Sequence, residues 1–211
     1  MGDIILANGS RLKGPFFEDE SVQKILKAGG VLGEYSRYVK YPRTFHLPWS
    51  ESKTDDDRTH GNSDHFKGKR VICTLKMDGE NTSIYSDGYL HARSIDADAH
   101  FTQSWARNLA ARVGHELPEG WRISGENLWA RHSIKYDDLE SFFYLFSIWN
   151  EKNFSLSWDE TAQWAQLLDV AIVPVFYDGE FDEKKIREAF EPFRAKHEGY
   201  VIRLADSFHY S

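Results

Sequence analysis

Residues 71–79 of this chain read Val71-Ile72-Cys73-Thr74-Leu75-Lys76-Met77-Asp78-Gly79. The apolar part, residues 71–75, predicts a buried strand, so that Lys76 stands at a strand end beside a carboxylate and a glycine. A free lysine has a pKa near about 10.4 and is a poor nucleophile at neutral pH. Desolvation or a neighbouring cation lowers that pKa, and the amine can then attack phosphorus or a carbonyl carbon. The stretch therefore predicts either a covalent nucleophile or a strand lysine whose ammonium simply reaches solvent.

Composition and charge describe a folded protein without a strongly basic surface. Of the 211 residues, 41% are hydrophobic and 15% aromatic, which excludes a disordered chain. The net charge of −7 is uneven: residues 1–100 carry 14 basic and 15 acidic side chains, whereas the rest carry 12 and 18. A polyanion is therefore expected to bind in a local groove built mostly from the first half. The single cysteine, Cys73, and the shortness of every apolar run lead us to expect a cytoplasmic protein.

The pattern of strands and helices along the chain predicts an α+β fold with largely antiparallel sheets and flanking helices. Strands are predicted around residues 71–75, 81–85, 89–93, 121–126, 142–149, 170–176 and 199–204. Helices are predicted over residues 16–28, 101–113, 158–168 and 182–196. A capping box, Ser157-Trp158-Asp159-Glu160, begins the third of these helices. Residues 34–70 form a long irregular segment, and loops of this length in compact domains are usually functional or disordered.

Five short segments follow one another in an order that carries chemical meaning. They are Lys76-Met77-Asp78-Gly79, Ala92-Arg93-Ser94, Ser124-Gly125-Glu126-Asn127, Tyr144-Leu145-Phe146-Ser147-Ile148-Trp149 and Glu198-Gly199-Tyr200-Val201-Ile202-Arg203. With these segments the chain resembles the covalent nucleotidyltransferase superfamily of ligases and capping enzymes, and most closely the ATP-dependent RNA ligase family. Each segment alone is unspecific, but five in this order are hard to obtain by chance.

The resemblance implies a nucleotidyltransferase domain, the adenylylation domain of ligases, in which Lys76 attacks ATP. Pyrophosphate would leave and AMP would remain on the lysine, with Mg²⁺ or Mn²⁺ neutralising phosphate charge. The AMP would then activate an RNA 5′-phosphate for joining to a 3′-hydroxyl. Two alternatives stay open. One is a DNA ligase or a GTP-using capping enzyme, and the other is a catalytically weak module that binds nucleotide or nucleic acid.

Around the nucleophile, the resemblance implies roles for four neighbours. Asp78 would orient the amine or the ribose and would contact the metal, and Gly79 would let the backbone approach closely. Thr74 points to the same side of its strand as Lys76, and with Leu75 it would contact the nucleotide, Thr74 at the adenine edge. An Asp-Gly turn and a buried strand threonine are the structural alternatives.

The middle segments would hold the nucleoside. By resemblance, Arg93 would contact the sugar or the RNA end, and Glu126 would bind ribose hydroxyls or orient the metal. Phe146 would stack on the adenine ring. Each residue also has an ordinary structural interpretation: a surface ion pair for Arg93, a strand-end carboxylate for Glu126 and a core side chain for Phe146.

Three further residues would serve the phosphates. Glu198 matches the family's metal-associated carboxylate, because a hard cation requires oxygen ligands. Arg43 and His46 lie in the irregular segment before the nucleophile strand, and we expect them to reach the triphosphate. A turn between a helix and a strand is the structural alternative for Glu198.

The chain departs from the family pattern at two places. Ser147 stands where the family often has aspartate after the stacking ring. The family's last motif, a strand with paired lysines that hold the α-phosphate, has no counterpart, because no lysine follows Lys196 and the chain ends at Ser211. We therefore expect one nucleotidyltransferase domain over residues 1–211, cut before that motif and without a C-terminal domain. Such a chain would keep the nucleotide pocket but adenylylate poorly.

Overall fold

The computed structural model describes most of the chain after residue 37 and two short strands before it. The described residues are 38–50, 59, 61–95 and 101–210, together with the backbone of strands β1 (Ile4–Ile5) and β2 (Arg11–Leu12). These two strands pair antiparallel, with Ile4 opposite Leu12.

The chain divides into two compact units. The first comprises residues 1–39 with residue 211, and the second comprises residues 40–210. All strands after β2 and all helices described below belong to the second unit. The helix predicted over residues 16–28 lies outside the described residues, so it stays a prediction.

A three-stranded antiparallel sheet carries Lys76 at the end of its middle strand. The strands run in the order β10 (Tyr200–Leu204), β3 (Arg70–Leu75) and β9 (Val175–Glu180). Both faces of β3 are covered: Ile72 packs into one apolar cluster, and Val71 and Cys73 pack into another. This two-sided burial explains why the strand is a continuous apolar run and not an alternation of apolar and polar residues.

A six-stranded antiparallel sheet forms the other half of the unit. Its strand order is β11 (Phe208–His209), β8 (Phe154–Ser155), β7 (Phe143–Trp149), β6 (Arg122–Asn127), β4 (Glu80–Tyr85) and β5 (Leu90–Ala92). Residues 76–79 connect β3 of the first sheet directly to β4 of the second. The segment that contains the lysine, the carboxylate and the glycine therefore lies where the two sheets meet.

A β-bulge interrupts β7 beside the predicted stacking ring. The pairing of β6 with β7 shifts from Ser124 opposite Ser147 to Gly125 opposite Leu145, which leaves Phe146 as the extra residue. Gly125 permits this geometry, because a Cβ there would lie 2.4 Å from the Phe143 ring and 2.7 Å from a backbone oxygen.

Buried apolar side chains join the sheets to each other and to the helices. Between the sheets, Ile72 of β3 and Tyr144 of β7 share one cluster with Met77 and Trp158. Each such side chain that leaves water contributes on the order of 2 kcal/mol to folding. The cluster thus holds the two sheets together immediately behind the residues that connect them.

Three α-helices flank the sheets in the described residues: α1 (Ser104–Val113), α2 (Trp158–Leu167) and α3 (Glu183–Phe190). α2 begins with the predicted capping box, in which Ser157 Oγ accepts from the Glu160 N–H and Glu160 Oε2 accepts from the Ser157 N–H. Among the described residues, none of the helices is long and apolar enough to cross a membrane. The predicted α+β class with antiparallel sheets is confirmed.

Two predicted elements differ from the structure, and proline contributes to both differences. The strand predicted over residues 170–176 begins only at Val175, because Pro174 has no N–H to donate to a ladder. Residues 171–173 instead bond to β7, where the Leu145 N–H donates to Ala171 O at 2.8 Å. The helix predicted over residues 182–196 ends at Phe190, and a 3₁₀ turn containing Pro192 follows it.

Candidate active site

A cavity of about 750 Å³ opens between the two sheets and brings all the predicted site residues together. The residues predicted from the sequence that line it are Arg43, His46, Thr74, Leu75, Lys76, Asp78, Gly79, Arg93, Glu126, Phe146 and Glu198. They come from both sheets and from the segment before β3. Their convergence is a finding about position, and the role of each residue stays a prediction.

Lys76 lies at the mouth of this cavity and is paired with Glu198. The backbone N–H of Lys76 donates to Gly199 O at 2.9 Å, which fixes the residue at the end of the β3–β10 ladder. Its Nζ lies 2.6 Å from Glu198 Oε1, with 48% and 44% of the two side chains exposed. The predicted nucleophile and the predicted metal carboxylate thus neutralise each other at a position open to solvent.

Asp78 is held by the loop that connects β6 to β7. Its Oδ2 accepts hydrogen bonds from Ser133 Oγ at 2.6 Å and from the Ile134 N–H at 2.7 Å, and its own N–H donates to the Tyr136 hydroxyl at 2.9 Å. Burial favours the neutral acid, but these hydrogen bonds stabilise the anion and lower the pKa of Asp78 below its ordinary value. Three contacts with one loop indicate a structural anchor for the segment that follows Lys76.

Glu126 projects from β6 toward the same segment. Its Oε1 accepts a hydrogen bond from the Gly79 N–H at 3.1 Å. Desolvation raises the pKa of Glu126 to about 7, although the Gly79 bond and the charge of Lys76 act in the opposite direction. The carboxyl group is therefore near its titration point at neutral pH, where it can either donate or accept a hydrogen bond.

Gly79 packs so closely against β6 that no side chain would fit. A Cβ at this position would lie 2.4 Å from Asn127 O and 2.6 Å from a methyl carbon of Leu128. Because the nearest obstacle is backbone, it cannot move aside as a flexible side chain can. This contact sets the distance between the nucleophile segment and the β6 strand that carries Glu126.

The floor of the cavity is aromatic. The Phe146 ring contacts Tyr41 edge to face, with ring centroids 5.1 Å apart. The Tyr41 hydroxyl hydrogen-bonds to Ser147, and burial raises the pKa of that hydroxyl. Because the bulge places two successive residues of β7 on one side, both Phe146 and Ser147 line the cavity. An exposed face of Phe146 offers the kind of surface on which a planar base stacks.

Arg203 closes the inner wall without a carboxylate partner among the described residues. Its guanidinium donates to Phe146 O at 3.0 Å and to Leu156 O at 2.8 Å, and it lies 5.4 Å from the ring centroids of Trp158 and Phe208. Desolvation lowers the pKa of Arg203 to about 10, so the group remains a cation at neutral pH. Carbonyl oxygens and ring faces therefore compensate a charge that borders the cavity.

The segment before β3 covers part of the cavity entrance. It contributes Tyr41, Arg43 and His46 to the lining, and it is attached to β10 by a hydrogen bond from Trp49 Nε1 to the Tyr200 hydroxyl at 2.9 Å. Arg43 is exposed and forms no ion pair within the described residues. Arg93 is likewise exposed, at the opposite edge after β5.

The carboxylates of the site do not form a preassembled metal cage. Within the described residues there is no cluster of three or more His, Cys, Asp or Glu side chains arranged to hold a cation. Glu126 and Glu198 both line the cavity, whereas Asp78 is engaged by Ser133 and Ile134. A hard cation here would therefore depend on substrate oxygens and water for most of its ligands, as Mg²⁺ usually does.

Sequence reasoning missed several lining residues. Tyr41, Ser147 and Arg203 build the inner wall, and Tyr136 and Ser133 hold Asp78 from outside it. Arg203 lay in one of the five segments and shares a face of β10 with Val201, two residues earlier, so strand periodicity could have placed both beside the cavity. Ser147 also lay in one of the five segments, but its position beside the cavity depends on the bulge. No comparable signal marks Tyr41, Tyr136 or Ser133.

Comparison with known proteins agrees with this architecture. An RNA ligase of Naegleria gruberi, solved as a mutant with ATP and Mn, shares 21% identity at a TM-score of 0.51, over 69% of this chain and 50% of that chain. The same ligase with pyrophosphate shares 21% identity at a TM-score of 0.51, over 68% and 50%. An archaeal ATP-dependent RNA ligase shares 21% identity at a TM-score of 0.57, over 68% and 41%. At this identity the similarity establishes the ligase nucleotidyltransferase fold, and the chain spans about half the length of these ligases or less.

No curated protein matches the sequence significantly. The sequence model of the RNA ligase family, in contrast, matches residues 69–211. That match covers well over half of the chain and includes all five segments that carried the resemblance. The resemblance is thereby confirmed, and the chain belongs to the RNA ligase family.

Proposed function

We propose that this chain binds ATP and a divalent cation in the cavity and transfers AMP to Lys76, as the first step in joining RNA ends. The Nζ atom attacks the α-phosphorus, the bond from that phosphorus to the bridging oxygen breaks, and pyrophosphate leaves. The Lys76 ammonium first loses one proton to water, since only the neutral amine has a lone pair, and the nitrogen loses a second proton to water as the P–N bond forms. The product is a Lys76–AMP phosphoramidate.

One observation carries this proposal: Lys76 lines the same cavity as the Phe146 ring and the carboxyl groups of Glu126 and Glu198. The cavity volume of about 750 Å³ lies within the range of about 300–1,000 Å³ typical of small-molecule sites. We assign Phe146 to the adenine ring, Thr74 and Leu75 to the base edge, and Glu126 to the ribose hydroxyls.

The phosphates belong at the opposite end, near the nucleophile. We assign Arg43 and His46, on the covering segment, to the leaving pyrophosphate, since phosphoryl transfer depends on positioning and charge neutralisation more than on acid–base chemistry. Glu198 is the carboxylate that would hold Mg²⁺ or Mn²⁺, which when bound supplies positive charge to the phosphate oxygens. Asp78 anchors the segment, and we give it no direct metal bond.

The later steps concern RNA. In the proposed sequence, an RNA 5′-phosphate oxygen attacks the phosphorus of Lys76–AMP, the P–N bond breaks, and 5′-adenylylated RNA forms. A 3′-hydroxyl then attacks the RNA 5′-phosphorus and releases AMP. Arg93, exposed at the cavity edge, is assigned to the RNA end. The proposal includes a cytoplasmic location, which rests on the single buried Cys73.

Labelled nucleotide tests the first step directly. The purified chain is incubated with Mg²⁺ and ATP labelled at the α-phosphate, and label that resists denaturation is measured on the protein. We expect label from ATP that is lost in Lys76→Ala. The matched control is Lys67→Ala, which removes an exposed lysine paired with Asp64 on the surface and should keep the label.

Other outcomes would favour the alternatives. Label from GTP but not ATP would indicate a capping-type enzyme, and ligation of nicked DNA but not of RNA ends would indicate a DNA ligase. Nucleotide binding without any covalent label, in both this chain and a version extended past Ser211, would contradict the enzymatic proposal and leave a binding module.

A further inference from the structure

A second cavity adjoins the first and has no role in the proposed transfer to Lys76. Its volume is about 190 Å³, and it is formed mainly by the loop that connects β6 to β7. Its walls include Trp129, Arg131, Tyr136 and Phe142, and it shares Asp78 with the first cavity. With a volume below the roughly 300 Å³ at which ordinary ligand sites begin, it has room for one flat ring system and not for a nucleoside triphosphate.

Two aromatic side chains stand exposed at the rim of this cavity. Trp129 is 44% exposed and Phe142 37% exposed, although both are large apolar residues. Their ring centroids lie 4.9 Å apart with the ring planes nearly perpendicular, and the Trp105 ring contacts Phe142 edge to face at 6.0 Å. The rings are therefore held in place while a face remains open, as base-stacking platforms require.

The charged side chains at this cavity also indicate which class of ligand it binds. Arg131 lines it, is exposed, and forms no ion pair among the described residues. Lys135 also lines it but is paired with Asp137, so part of its charge is compensated. Arg131 is close enough to Asp137 to help lower the pKa of that carboxyl, but it is not bonded to it. An exposed guanidinium beside two exposed rings matches the chemistry of a nucleotide unit, in which a flat base is attached to one phosphate.

We propose that this second cavity, together with Trp129 and Phe142, binds a base of the RNA strand whose end reacts at Lys76, with Arg131 contacting the adjoining phosphate. This inference rests on the proposed function, because it supplies that same site with its polynucleotide. Asp78 belongs to both cavities and lies two residues from Lys76, so a base held in the second cavity places its strand end at the first.

Equilibrium binding tests the proposal without requiring catalysis. The dissociation constant of the full chain is measured by calorimetry for a 5′-phosphorylated hexa-adenylate RNA and for a hexamer of the same backbone without bases. We expect Trp129→Ala and Phe142→Ala each to weaken hexa-adenylate binding by about 5- to 150-fold, the ratio that about 1–3 kcal/mol of stacking produces. Binding of the base-free hexamer should not change.

The control variant is Phe154→Ala, which removes another exposed aromatic ring, on β8 away from both cavities, and should bind both hexamers as the wild type does. Arg131→Gln should reduce the slope of log affinity against log salt by about 0.7, the value for one phosphate contact on a single strand. Circular dichroism and the unfolding temperature establish that each variant is folded.

The proposal is overturned if Trp129→Ala and Phe142→Ala bind hexa-adenylate as tightly as the wild type. It is equally overturned if both hexamers lose affinity together, or if the wild type binds neither of them. The labelling of Lys76 by ATP is measured on the same preparations. Labelling that persists while RNA binding fails contradicts the second cavity alone, whereas loss of labelling in the wild type contradicts the proposed function.

Discussion

Lys76 Nζ lies 2.6 Å from Glu198 Oε1, so the nucleophile of the proposed reaction is ion-paired. Nearly half of each side chain is exposed, and ion pairs in such surroundings contribute about 0–1 kcal/mol to stability. The pair is therefore easy to separate when phosphate and metal enter. Loss of this ion pair should therefore affect the reaction at Lys76 more than the stability of the fold.

Replacement of Glu198 should distinguish its effect on the stability of the fold from its effect on the reaction at Lys76. We expect Glu198→Gln to change the unfolding free energy by less than about 1 kcal/mol. Adenylylation of Lys76 should fall by about 10- to 100-fold, because a charged group that orients the amine and holds the cation is lost. Chemical denaturation and the α-phosphate labelling rate are measured on the same variant. A large loss of stability with unchanged labelling would reverse this interpretation.

The pH dependence of stability should reveal the desolvated carboxyl of Glu126. Its pKa rises from 4.5 to about 7 in the folded protein, so the protonated form contributes stability below pH 4.5 that is lost as the pH rises through 7. The difference corresponds to about 3 kcal/mol. Relative to Glu126→Gln, which does not titrate, the wild type should therefore lose about that much unfolding free energy between these pH values.

Urea denaturation at several pH values measures this difference. The control is Glu119→Gln, which changes an exposed glutamate outside the cavity lining. Its unfolding free energy should depend on pH as that of the wild type does. If the unfolding free energies of the wild type and of Glu126→Gln change with pH in parallel, the Glu126 carboxyl is not desolvated.

The contacts between Asp78 and the loop that connects β6 to β7 should affect the rate of Lys76 labelling more than the stability of the fold. Tyr136→Phe removes the acceptor of the Asp78 N–H, which should cost about 1 kcal/mol of unfolding free energy. Labelling of Lys76 should slow by about 10- to 100-fold, because a small displacement of a reacting group has a large effect on rate. Tyr177→Phe is the matched control, since its hydroxyl bonds to Glu180 O outside the cavity. Equal labelling rates in the two variants would contradict an anchoring role.

Close packing at the nucleophile segment gives a steric prediction. Gly79→Ala should move the segment away from β6, because its Cβ would meet Asn127 O at 2.4 Å, and should reduce labelling by at least about tenfold. Gly199→Ala places the same methyl group next to Glu198, where a Cβ meets nothing within 4 Å, and should label normally. Thermal unfolding of both variants distinguishes a displaced segment from a disrupted fold. Similar labelling of Lys76 in both variants would show that the close contact between Gly79 and Asn127 does not determine the labelling rate.

The sequence was sufficient for features that depend on local pattern. The apolar run before Lys76 and the capping box at Ser157 are encoded in neighbouring residues, and the structure contains both as predicted. The five segments also predicted residues that line one cavity, but they did so only through the family resemblance that they carry.

Features that depend on tertiary structure could not be predicted. The Tyr136 contact joins residues 58 positions apart through an irregular loop, for which no periodicity exists. The bulge that places Ser147 beside Phe146 arises from a register shift, and the shift depends on packing against Gly125. The hydrogen bond from the Leu75 N–H to Pro174 O likewise joins two segments that are distant in the chain.

The central position of β3 also has a consequence for biosynthesis. Arg70 at the start of this strand binds Asp178, which is 108 residues later in the chain, and the other flank is β10, which is synthesised later still. A growing polypeptide thus exposes this apolar strand long before either neighbour has left the ribosome, a situation that favours slow folding and reliance on chaperones. Nucleotide cannot be trapped on a nascent chain, since the cavity walls are complete only after residue 208 has emerged.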